Sequence, residues 1–92
     1  MNTIYKLIKY ELNSIEEEVV AEDFDLETIA QRALTRSQQD GDYYHYRIDT
    51  YENDQWVGKC RWFNNGREIT EEIIKAALGG IRWKYISKRI FI

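Results

Sequence analysis

Apolar and polar positions alternate most regularly in residues 43–63, YYHYRIDTYENDQWVGKCRWF, and a period of two predicts a central β-hairpin there. Its register decides which side chains are core. A two-residue loop at Asn53-Asp54 pairs Tyr46 with Arg61 and Ile48 with Lys59 and leaves both faces mixed. A loop one residue longer or shorter gathers Tyr44, Tyr46, Ile48 and Thr50 with Trp56, Gly58, Cys60 and Trp62 on one face. The other face then carries Tyr43, His45, Arg47, Asp49 and Tyr51 with Val57, Lys59, Arg61 and Phe63, and Asp49 stands opposite Lys59. A one-residue slip exchanges the faces, so burial selects the odd loop and a core of Tyr44, Tyr46, Ile48, Cys60 and Trp62.

The flanking pattern supplies the other elements. Residues 3–12 read as a strand, with Ile4, Ile8, Tyr10 and Leu12 on one side and Tyr5, Leu7, Lys9 and Glu11 on the other. Two partly apolar faces point to an interior strand. Residues 14–24 admit two readings. Ser14 with Glu17 fits a capping box, whereas Val19-Val20 and the helix start close behind favour a short strand returning through a turn at Asn13-Ser14. The strand is the expectation. Residues 25–38 form a helix, capped by Asp25 and apolar at Leu26, Ile29, Ala30, Ala33 and Leu34, and Gly41 breaks the run that follows it. Asn65-Gly66 suits a type I′ turn, residues 67–69 begin a short return strand, and Thr70 caps a helix over 71–78 before Gly79-Gly80. Residues 81–92 read as a last strand whose phase changes near Ser87. The expected fold is α+β: a single antiparallel or mixed sheet of four to five strands with two helices on one face. Its order is β(β)αββαβ, ferredoxin-like or related.

Composition narrows the class. At 92 residues, 43% hydrophobic and 14% aromatic, the chain is expected to be one globular domain over 1–92. No apolar run approaches the roughly 18–20 residues of a membrane span. The first residues lack a signal-peptide pattern and Cys60 is alone, so a reducing, cytoplasmic location is expected. The net charge of −3 is unevenly laid out: residues 1–54 carry −8, with eight acids in residues 11–27, and residues 55–92 carry +5. Such polarity steers charged partners unless the halves interleave and neutralise each other.

Candidate chemistry is sparse. His45 and Cys60 are the only residues of their kinds, which rules out the commonest zinc sets, and the favoured register puts them on opposite faces. Cys60 reads as a small core residue. Asp40 and Asp42 around Gly41 fall far short of calcium's 6–8 oxygen ligands and read as a solvated turn. Gly79-Gly80 follows a helix, the wrong end for an anion. No enzyme activity, cofactor or metal is expected.

Two surfaces remain. Tyr43, Arg47, Tyr51, Lys59, Arg61 and Phe63, joined by Arg82 and Lys84, interleave rings and cations on a sheet face, as single-stranded nucleic acid requires, although no RNP1-like run is present. Cross-strand and cation–π pairs explain the same residues. Glu16, Glu17, Glu18, Glu22 and Asp23 form an acidic surface able to imitate a phosphate track, or simply to keep the face solvated. Short, motif-free, aromatic-rich and acidic, the chain resembles in composition the small inhibitor proteins of phages and mobile elements, anti-CRISPR and anti-restriction types among them. The resemblance implies a non-enzymatic protein-interaction module, with a protein partner and no membrane. Nucleic-acid binding through the sheet face is the alternative, and a free sheet edge offers a route to a homodimer.

Overall fold

The computed structural model describes residues 2–11 and 14–79. Its elements are β1 (Thr3–Tyr10), β2 (Glu17–Asp23), α1 (Leu26–Asp40), β3 (His45–Glu52), β4 (Gln55–Asn64), β5 (Arg67–Glu68) and α2 (Thr70–Gly79). The strands form one antiparallel sheet in the order β2-β1-β3-β4-β5. The α+β class is as expected, and the acidic stretch is strand rather than helix. The strand expected over 81–92, and Asn13 of the expected turn, lie outside the described residues.

β1 is interior, as its two partly apolar faces predict, and buries Leu7 and Ile8 on opposite sides. The crossover departs from the ferredoxin-like expectation. A split βαβ unit runs two parallel strands either side of a third. β1 and β3 are instead neighbours and antiparallel. The split unit is therefore β2–α1–β3 with β1 between its strands, so the strand that was optional in the sequence starts the crossover.

α1 covers one face of the sheet. Its Ile29 and Ala33 pack with Leu7, Tyr46, Ile48 and Phe63 in the buried core, and Leu26, Ala30 and Leu34 close around them. Asp25 caps it, accepting from the Thr28 N–H at 3.0 Å and the Thr28 hydroxyl at 2.6 Å. At the other end Ser37 is fully buried, donates to the Leu34 carbonyl and accepts from the Gly66 N–H at 3.0 Å. That bond fastens α1 to the β4–β5 turn. Asn65 and Gly66 there have φ of 51° and 76°, as a type I′ turn needs, and a Cβ on Gly66 would sit 3.1 Å from the Gln38 Cβ. Among the described residues α2 rests against β4 and makes no close backbone approach to α1, so the two helices are not clearly on one face of the sheet. Thr70 also serves differently: its hydroxyl accepts from the Trp62 N–H and donates to Glu68, tying the helix start to β4.

The hairpin register is the main correction. The β3–β4 loop has two residues, Asn53 and Asp54, both with positive φ, and Glu52 faces Gln55. Past Tyr51–Trp56 the ladder shifts by two, so that Asp49 meets Cys60, Ile48 meets Arg61 and Tyr46 meets Phe63. The extra residues lie around Gly58, whose φ of 77° is glycine's territory. A two-residue bulge keeps every side chain on its face while bringing Phe63, not Arg61, against Tyr46. Neither regular ladder considered from the sequence allows that. Tyr46 and Ile48 are core as expected. Phe63, placed on the surface from sequence, is 1% exposed, and Cys60 and Trp62 share the opposite face with Arg47 and Asp49.

Candidate functional site: the open sheet face and the β2 edge

Residues paired across strands share a face, so the side away from α1 is read in rows. Val19, Ile8, Arg47 and Trp62 form one row, Glu22, Lys6, Asp49 and Cys60 the next, and Glu17, Tyr10 and His45 lie beyond the first. Arg47 is the hub. Its Nε and Nη2 donate to Asp49 at 2.7 and 3.0 Å, and Nη1 and Nη2 donate to Glu17 at 2.8 and 3.1 Å. Burial alone would lower the Arg47 pKa, but its bonds to Glu17 and Asp49 win and raise it. The same bonds hold the Glu17 carboxyl below the usual carboxylate range. Asp49 is almost fully buried and also accepts from the Cys60 thiol at 3.3 Å.

These contacts decide what the other candidates can do. Burial, and then the charge of Asp49, push the Cys60 thiol up to about 12, far from a reactive thiolate. His45 lies on the same face as Cys60, contrary to the sequence expectation, but the Arg47 row separates them. Burial lowers the His45 pKa against the pull of Asp42, and its ring packs 5.7 Å from that of Tyr10. No group of three or more His, Cys, Asp or Glu among the described residues is placed to hold a metal.

The Tyr/Arg set is not one surface. Arg47 and Tyr51 are on the open face, but Phe63 and Arg61 belong to the α1 side, where Arg61 grips Glu68 through two bonds of 2.9 and 2.6 Å. Lys59 is exposed in the bulge, and Tyr43 is exposed ahead of β3 with its ring edge-on to Tyr44. Lys6 completes the pattern: it pairs with Glu22 at 3.6 Å and lies over the Tyr51 ring.

The acidic set does form one place. Glu17, Glu18, Glu22 and Asp23 lie on β2, an edge strand among the described residues, and Glu16 immediately precedes it. Glu17 and Glu22 face the open side, while Glu18 and Asp23 pair with Lys9 and Tyr5 on the α1 side. Even bound to Arg47 and Lys6, the Glu17 and Glu22 side chains stay 47% and 48% exposed. Asp23 is half-buried and accepts from the Asp25 N–H. Sequence reasoning missed what accompanies them: Ile15 is fully exposed, Phe24 73% and Val19 52%. Three large apolar residues spaced through an acidic run were the available signal. Among the described residues the opposite edge, β5, is two residues long.

No family model matches the chain, and no curated protein or solved structure matches it at a significant level. No helix among the described residues is long and apolar enough to cross a membrane.

Proposed function

We propose that this chain is a small, non-enzymatic protein-interaction module that captures a basic partner through the acidic β2 edge. The reading is of an inhibitor that occupies a basic groove otherwise meant for nucleic acid. One observation carries it: the exposed carboxylates and Val19 of β2, with the exposed Ile15 just before it and Phe24 just after it, gather at one strand that is an edge of the sheet among the described residues. Soluble surfaces carry single apolar residues without consequence, but several of them clustered at a sheet edge mark an interaction site. Nucleic-acid binding through the sheet draws less support. Arg47 and Arg61 each spend their guanidinium on carboxylates of the same chain, and Phe63 has no exposed face on which a base could stack.

The test is capture from a lysate of the cells that make the protein, comparing wild type with Glu16→Lys/Glu18→Lys. Neither side chain makes a described ion pair, so the fold should persist. A basic protein retained by wild type should be lost by at least tenfold in the variant, and unchanged capture would remove this edge from the function. Single-stranded oligonucleotides should not bind at low salt; binding that falls in the exposed-site variant Lys59→Ala would restore the nucleic-acid reading.

A further inference from the structure

We propose that β2 receives an extended basic segment of the partner protein as an additional strand of the sheet. The inference rests on the reading above that the acidic edge is the interaction surface. In an antiparallel ladder alternate residues turn N–H and C=O towards opposite neighbours, so β2, which among the described residues pairs only with β1, offers half its backbone groups outward.

Charged edges also serve to prevent unwanted pairing, and a register shift between Leu7 and Ile8 leaves Val20 as an extra residue that bends this one. Protection accounts for the acids and the bulge. It does not account for Ile15 and Val19 standing exposed beside them.

Charge selects the occupant. A second copy added about a two-fold axis at Val20 would set Glu17 opposite Asp23 and Glu18 opposite Glu22. Moving the axis to between Val19 and Val20 sets Glu17 opposite Glu22. Like charges directly opposite are destabilising, so a homodimer through this edge is disfavoured. A segment with Lys or Arg on both of its faces meets an acid on both faces of β2, and an apolar residue in its middle covers Val19. The bulge divides the edge into short stretches, so the inserted segment is short.

The probe is a fluorescein-labelled, capped nonapeptide of lysine and arginine around a central valine, added to the full chain at low salt. Two further peptides carry N-methyl groups on one or the other alternate set of backbone amides. Strand addition requires the unmodified peptide to bind, one methylated peptide to lose at least tenfold, and the other to bind almost unchanged. Binding should also slow amide hydrogen exchange within Glu17–Asp23 and weaken at least tenfold in Glu16→Lys/Glu18→Lys. If both methylated peptides bind like the parent, strand addition is wrong and the edge is a diffuse electrostatic surface, with the functional reading intact. If no peptide binds while charge-dependent capture from lysate persists, strand addition is again wrong. Capture indifferent to charge overturns the functional reading itself.

Discussion

Asp49 takes two N–H groups from Arg47 and the thiol of Cys60 in a place that water scarcely reaches. Arg47→Ala strands that carboxylate and should cost about 3 kcal/mol or more in urea unfolding, whereas Cys60→Ala should cost about 1 kcal/mol. Arg47→Lys should recover only part of the loss, because an ammonium cannot fork between two carboxylates. Glu17 and Glu68 have folded pKa values below their unfolded ones, each through its arginine hydrogen bonds. Their contribution is therefore present above the usual carboxylate range and lost as pH falls through the folded values. Thermal melts should drop on acidification, and the drop should be shallower in Arg47→Ala; a parallel drop would detach Glu17 from the effect. Solvent screening keeps the Glu17 share small, since its side chain is half exposed. Iodoacetamide at mildly alkaline pH should alkylate Cys60 slowly until the chain unfolds, as a thiol with a pKa of about 12 demands.

Among the elements, β4 separates the register seen here from the one its alternation implies. Phe63→Ala should cost about 3–5 kcal/mol, and clearly more than Trp62→Ala, in denaturant titrations. The reverse ranking would favour the odd-loop register. Ser37→Ala leaves the Gly66 N–H without its acceptor and should cost about 1–3 kcal/mol. The described strands, α1 and the Asn65-Gly66 turn were legible because periodicity, Asp25 and the Asn-Gly pair are local signals, whereas the alternation argued against the two-residue turn at Asn53-Asp54. The faces of β4 were not, because they depend on how residues 57–59 are absorbed opposite Thr50. A lone glycine inside a strand is a bulge signal, and Gly58 carried it. Ser37 was invisible for another reason: its partner is 29 residues away.

At the scale of the whole molecule, no ion pair among the described residues joins the acidic half, 1–54, to the basic half, 55–92. Among the described residues the acidic excess is displayed on β2. Association with a basic partner should be fast and should weaken more than tenfold as salt rises from about 0.05 M to about 0.5 M. Salt-independent rates would show that the exposed Ile15, Val19 and Phe24 dominate the encounter. The acidic surface was legible as a cluster of residue types, but not as an edge. Its position follows from β1 pairing with β3 across the chain, which no local pattern reports.

The bulge at Gly58 has a kinetic corollary. Most register slips are self-correcting because they turn a hairpin inside out, but a two-residue slip does not. A ladder continued straight from Tyr51–Trp56 would keep Tyr46 and Ile48 facing α1 and differ chiefly in setting Arg61, not Phe63, beside Tyr46. The chain thus has a near-degenerate register isomer, held off by the burial of Phe63 and by a residue free to take positive φ. Gly58→Val removes that freedom and should populate the isomer, seen as a second slow refolding phase and weakened Tyr46–Phe63 cross-strand contacts by NMR. A single-phase Gly58→Val with those contacts intact would show that packing alone sets the register.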